Sequence, residues 1–144
     1  MDKSNPPETF GVFKPVGHTV MALRSAADAQ AAIAALAAQG LTEVVTYTPQ
    51  EMAKLARSER LAASPLAAFG YELELLDTHL ELAESGCSFV VVHAPEDAQV
   101  AQVARVAHTL KAASAQQYGR FVIQDLLDHT APNAPTPDTP SPIR

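Results

Sequence analysis

Phe89-Val90-Val91-Val92-His93, followed by Ala94-Pro95-Glu96-Asp97 and an Ala/Val-rich run to Ala115, is the stretch on which the fold turns. Four consecutive apolar residues, three of them β-branched, suit a strand covered on both faces, because a half-wet strand would alternate. A tight turn and a helix follow. The same construction occurs earlier in the chain at a constant displacement of 69 positions. Leu23 through Gln30 align with Val92 through Gln99, the Asp-Ala-Gln at the end of the stretch is identical in both copies, and the apolar run Thr19–Leu23 precedes the first copy. Two similar strand–helix–strand halves are therefore expected.

Composition narrows the classes of function. The chain has 144 residues, enough for one domain with a real core, and 47% of them are hydrophobic. Its net charge is −6 and its lysines and arginines are scattered, which disfavours a nucleic-acid or anionic-membrane partner, since phosphate binding needs clustered cations. A single cysteine, Cys87, leaves no internal disulfide and fits a reducing, cytoplasmic setting. The opening Met1-Asp2-Lys3-Ser4-Asn5-Pro6-Pro7 lacks the apolar core of a signal peptide, and no apolar run approaches the roughly 20 residues that span a bilayer.

Along the chain, residues 1–8 are polar and expected to be disordered, and 9–130 are expected to form one α+β domain with a helical insertion at 49–86. The segment 131–144, with prolines at 132, 135, 137, 140 and 142, is expected to be an extended, disordered tail. Phe10–Phe13 suits a short strand. Ser25 is a good N-cap, Asp28 sits in the first turn, and Gly40 stands where a helix needs a left-handed residue, so a helix is expected from 25 to about 39. Its inward stripe is Ala29, Ile33 and Leu36. Val44–Thr48 is a β-branched strand. Thr48-Pro49-Gln50-Glu51 combines a cap, an N1 proline and a capping-box glutamate. From about 66 to 85 a second inserted helix carries Phe69, Leu73, Leu76, Leu80 and Ala83 at alternating spacings of four and three, a strong apolar stripe. The helix after Pro95 is expected to continue toward Tyr118-Gly119, with Arg120–Leu127 as the final strand.

This order describes a ferredoxin-like βαβ–(αα insertion)–βαβ sandwich of four or five mainly antiparallel strands. The runs near 19–24 and 88–93 are expected side by side and parallel at its centre. Being apolar throughout, they need a cover on the second sheet face, either from the inserted helical pair or from a second subunit.

"TVMALRSAADAQAAIAALAAQGLTEVVTYTPQE", then a helical segment, then "SGCSFVVVHAPEDAQVAQVARVAHTLKAASAQQYGRFVI" resembles the bacterial heat-induced or general stress protein family over roughly residues 18–125. The likeness rests on the Asp28-Ala29-Gln30 helix opening, on Gly40 and Gly86, and on the Val-Val-Val-His-Ala run. It implies a small ferredoxin-like protein in a stress response and brings no catalytic residues. The insertion differs from the family, being an acidic helix at 72–84 where relatives are glycine-rich and apolar.

Candidate chemistry is sparse. Arg24 and His93 hold matching positions at the ends of the two central strands, each facing a helix N-terminus, so Arg24, Ser25 and His93 are the candidate anion-binding residues. Glu74, Asp77, Glu81 and Glu84 form one acidic line, which Lys54, Arg57 and Arg60 on the neighbouring helix can neutralise. His18, His79, His93, His108 and His129 show no metal-ligand spacing, and neither a metal nor another cofactor is expected. No nucleophile elbow or phosphate loop is present, so no catalytic residue is assigned. Two readings stay open. One is a non-enzymatic, homodimeric, stress-associated or regulatory module whose interface is Phe69, Leu73, Leu76 and Leu80. The other is a small-molecule or anion binder, or an enzyme, at a cleft near Arg24 and His93.

Overall fold

A computed structural model describes residues 8–9, 12–13, 16–62, 71–119 and 123–127, with side chains over 16–58, 76–119 and 123–127. In chain order the elements are β1 (Glu8–Thr9), β2 (Val12–Phe13), β3 (His18–Leu23), α1 (Ala26–Ala37), β4 (Val44–Tyr47), α2 (Pro49–Ala62), α3 (Tyr71–Glu84), β5 (Ser88–His93), α4 (Asp97–Thr109), β6 (Ser114–Tyr118) and β7 (Ile123–Asp125). β1 and β2 pair as a separate ribbon, which makes Glu8, expected to be disordered, a strand residue. The other strands form one sheet in the order β4-β5-β3-β6-β7. The tail at 131–144 lies outside the described residues.

The architecture is ferredoxin-like α+β, with β7 as a fifth strand. β3 and β5 are the central neighbours, as anticipated, but they run antiparallel, His18 opposite His93 and Leu23 opposite Ser88. The expectation of a parallel pair is corrected by connectivity. In β3-α1-β4 the helix returns the chain to the same end, so β3 and β4 are parallel to each other. β5 then slots between them and bonds antiparallel to both. β6 lies on the other side of β3 and is antiparallel to it as well.

Local chemistry sets the helix ends. Ser25 Oγ accepts from Asp28 N at 3.1 Å, the N-cap read from the sequence. Thr48 and Glu51 form the reciprocal capping box, at 2.9 and 3.1 Å. Gly40 takes φ +85° after α1 while Leu41 N donates back to Leu36 O at 2.9 Å.

The burial of the central strands β3 and β5 follows from cover on both faces. On one face Met21, Leu23, Val90 and Val92 pack against Ala29, Ala32 and Leu36 of α1 and Val103, Val106 and Ala107 of α4. The alanines let these helices approach closely. On the other face Val20, Ala22, Phe89 and Val91 meet Met52, Ala53 and Ala56 of α2 and Leu76 and Ala83 of α3. The inserted pair therefore covers the sheet within one chain. Of its apolar stripe, Leu76 and Ala83 are buried and Leu80 is partly buried against the same core. Phe69 lies outside the described residues, and Leu73 is described only by its backbone.

The C-terminal part departs from expectation. α4 ends at Thr109, and Lys111, with φ 54°, takes the left-handed position usually given to glycine, letting Ala112 N reach Ala107 O at 2.9 Å. Ser114–Tyr118 is then a strand, not helix; of the expected final strand Arg120–Leu127, Ile123–Asp125 pairs at the sheet edge, Leu126 and Leu127 lie past its end, and 120–122 lie outside the described residues. β6 is polar yet buried. Gln117 accepts a short hydrogen bond from the Thr19 hydroxyl and donates to Ala94 O at 3.3 Å, so its amide belongs to the core as a cross-strand clamp.

Candidate functional site

Across one end of the sheet, four side chains form a row on the face covered by α2 and α3. His18 opens β3, and the register sets it opposite His93 on one side and Tyr118 on the other. The β4–β5 pairing extends one residue to Glu43, whose carbonyl accepts from His93 N at 3.0 Å. The His18 and His93 rings lie 4.7 Å apart at 51°. His93 Nδ1 stands 3.5 Å from Glu43 Oε1, and the His93 side chain is 40% exposed. His18 is buried and its Nδ1 contacts Val16 O at 3.0 Å. A carboxylate beside Nδ1 favours a proton there, which leaves Nε2 of neutral His93 as a hydrogen-bond acceptor.

Gly17 makes room for this arrangement. At φ +80° it takes a conformation that disfavours any side chain, and a Cβ there would lie 3.8 Å from Pro95 Cβ and 3.9 Å from His93 Nε2. Its backbone ties three strands together: Gly17 N donates to Tyr118 O at 2.7 Å, and Ala94 N donates to Gly17 O at 3.0 Å. The imidazole pair thus sits on a fixed frame. Further in along the same face, β6 presents Ser114 Oγ and Gln116 Oε1, both buried without a hydrogen-bond partner.

The anion cleft expected from Arg24, Ser25 and His93 does not assemble. Because β3 and β5 are antiparallel, Arg24 follows the far end of β3, six residues along from the His18–His93 pair. At about 3.3 Å per residue that is about 20 Å. Arg24 is exposed, and Ser25 Oγ is used in capping α1. Sequence repeat positions are thus related by a two-fold relation that sends equivalents to opposite ends. α4 starts at an Asp-bearing turn closed by Glu96 and Gln99, whose side chain accepts from Glu96 N at 3.0 Å.

Two further features lie on α3. His79, one turn from Leu76, is 1% exposed and meets Phe89 of β5 edge-on, with ring centroids 5.7 Å apart. Burial pushes its pKa down from 6.5 to about 4. In the sequence it stood only among the histidines without metal-ligand spacing, although it falls on the same helical side as Leu76, Leu80 and Ala83. Asp77 and Glu81 point to solvent, and Glu84 pairs with Arg57 at 2.8 Å, so part of the acidic line is neutralised within the insertion. That pair borders an open concavity of about 320 Å³ lined by Pro49, Gln50, Ala53, Arg57, Ala83 and Glu84. Among the described residues no group of three or more His, Cys, Asp or Glu is placed to hold a metal ion, and no helix is long and apolar enough to cross a membrane. Cys87 is a buried free thiol.

The chain matches no protein-family model, no curated protein and no solved structure. The resemblance to heat-induced stress proteins therefore rests on the residues quoted for it.

Proposed function

We propose that this chain is a cytoplasmic, stress-associated binding module that takes a small polar ligand at the His18–His93–Glu43 end of its sheet. The observation that carries the proposal is the His93 imidazole, held between Glu43 and His18, with its Nε2 beside Gly17 and its ring partly open to solvent. The stress association comes from the family resemblance alone, and the cytoplasmic setting from the single unpaired cysteine.

The chemistry of the row selects the ligand class. Arg24 is at the other end of the sheet and Glu43 brings a negative charge to this one, so an anion is disfavoured unless His93 is protonated. Neutral His93 Nε2 and the Glu43 carboxylate both accept hydrogen bonds. Ligands rich in donors, such as amines, amides or polyols, fit that set. Self-association is not part of this proposal, because Leu76 and Leu80, two of the four residues read as its interface, pack inside the chain.

A thermal-shift screen of small amines, amides and polyols, followed by NMR of the histidine rings, tests this reading. Ligands that stabilise the protein should move the His93 and His18 ring signals, and His93→Ala or Glu43→Gln should abolish the stabilisation. Stabilising compounds that leave those signals unmoved, or that act equally on the variants, count against it.

A further inference from the structure

We propose that the concavity between the start of α2 and the end of α3 is a binding site for a free α-amino acid with an apolar side chain. It lies toward the other end of the sheet from the His18–His93 row and is independent of any ligand there. β4 carries the chain from Glu43, beside His93, to Tyr47 opposite Phe89, and α2 begins two residues later.

The concavity holds about 320 Å³, near the lower end of the roughly 300–1,000 Å³ typical of small-ligand pockets. Pro49, Gln50, Ala53 and Arg57 line it from α2, and Ala83 and Glu84 from the last turn of α3. Small side chains make the room. α3 carries Leu76 and Leu80 nearer its start, but here it has the buried Ala83, and α2 has the buried Ala53. With Pro49 these two alanines give the lining an apolar part. Its polar part is the ion pair, in which Arg57 Nη2 donates to Glu84 Oε2 at 2.8 Å, and both side chains are more than half exposed.

That ion pair selects the ligand class. A cation alone competes with Arg57 for Glu84, and an anion alone competes with Glu84 for Arg57. A zwitterion brings one charge of each sign and leaves the pair intact. Arg57 has further N–H donors for a ligand carboxylate, and the Glu84 carboxylate has further lone pairs for a ligand ammonium. An exposed pair of this kind holds its partners weakly, so it shifts at little cost to admit the ligand. The helix ends set the direction of the ligand, not its presence. Pro49 has no N–H, and Thr48 accepts from Glu51 and Met52, so the Gln50 N–H is the first-turn donor that the cap leaves over. Glu84 marks the negative end of α3. The ligand carboxylate therefore belongs beside Gln50 and Arg57, its ammonium beside Glu84, and its apolar side chain over Pro49, Ala53 and Ala83.

Titration of the full chain with leucine, followed by NMR, tests the site. Saturable shifts are expected at the amides of Gln50, Ala53, Ala83 and Glu84 and at the Arg57 side chain, with none at the His18 and His93 rings. Leucinamide, which lacks the carboxylate, and isocaproate, which lacks the ammonium, should each bind about tenfold or more weakly, the value of one hydrogen bond to a charged group. Arg57→Gln and Glu84→Gln should weaken leucine binding to a similar degree, whereas His93→Ala should leave it unchanged. Both altered side chains are exposed, so unchanged amide shifts in β3 and β5 should show the fold retained. No saturable shift up to the solubility limit of leucine, shifts confined to the His18–His93 end, equal binding of the two analogues, or unchanged affinity in both variants overturns the proposal. Should a variant fold poorly, the analogue comparison in the wild-type chain decides alone.

Discussion

Replacing Thr19 by Val and Gln117 by Leu, singly and together, tests whether the polar strand β6 is held by its buried clamp. Thr19 is 0% and Gln117 8% exposed, so neither reaches water when its partner is removed. Thr19→Val leaves the Gln117 carbonyl oxygen without its donor, at about 1–3 kcal/mol for one stranded buried group. Gln117→Leu strands the Thr19 hydroxyl and also removes the bond to Ala94 O, one net hydrogen bond more, for roughly 2–4 kcal/mol in all. The double variant strands neither member of the Thr19–Gln117 pair and exchanges both for apolar groups of similar shape. It should therefore lose less than the sum of the singles, with a coupling energy of about 1–3 kcal/mol. Urea denaturation at pH 7 resolves this, because with a slope of about 1–3 kcal/mol/M each single change moves the midpoint by roughly 1 M. Strict additivity would refute the clamp and leave β6 held by backbone pairing alone.

The acid side of the stability curve carries the signature of His79. The unfolded histidine binds its proton near 6.5 and the folded one only near 4, so its contribution is complete above 6.5 and lost as pH falls through 4, by up to about 3 kcal/mol. Calorimetry should show that limb flattened in His79→Phe. Leu76→Ala and Leu36→Ala, one buried on each sheet face, should each cost about 2–5 kcal/mol in chemical denaturation, and a cost near zero for Leu76 would place α3 off the sheet. Gly17→Ala should cost about 1–2 kcal/mol, from the left-handed φ, and should shift the His93 ring signals in NMR. Glu81→Lys, on the exposed side of α3, should change stability by no more than about 0.5 kcal/mol, and a larger loss by thermal melt would show that the acidic line has a structural partner.

The fold was legible where local chemistry and burial agree. The apolar runs Thr19–Leu23 and Phe89–Val92 announced covered central strands, and Ser25 and Thr48–Glu51 fixed two helix starts. β6 was missed because Ser114-Ala115-Gln116-Gln117-Tyr118 has neither β-branched residues nor alternation, and its burial comes from a tertiary amide–hydroxyl bond. The stop of α4 was missed because Lys111 does a glycine's work. The site was half legible. His93 was singled out, but its partners depend on strand direction: a parallel centre brings Arg24 to it, an antiparallel one brings His18 and Glu43. A single inverted strand relation therefore replaced a cation with an imidazole and a carboxylate.

The slotting of β5 between β3 and β4 governs how the chain can fold. Within the five-stranded sheet only β6 and β7 are joined by a short hairpin connection, while His18 must find His93 and Ala22 must find Ser114. No central pair forms until α1, β4 and the whole α2–α3 excursion have been synthesised and drawn together, so loop-closure entropy is met before the sheet returns any stability. During synthesis β3 and β4 emerge as neighbours in sequence with an unfilled gap between them in space. The apolar run Phe89–Val92 is the piece that closes that gap, so the centre of the sheet can assemble only after it has been synthesised.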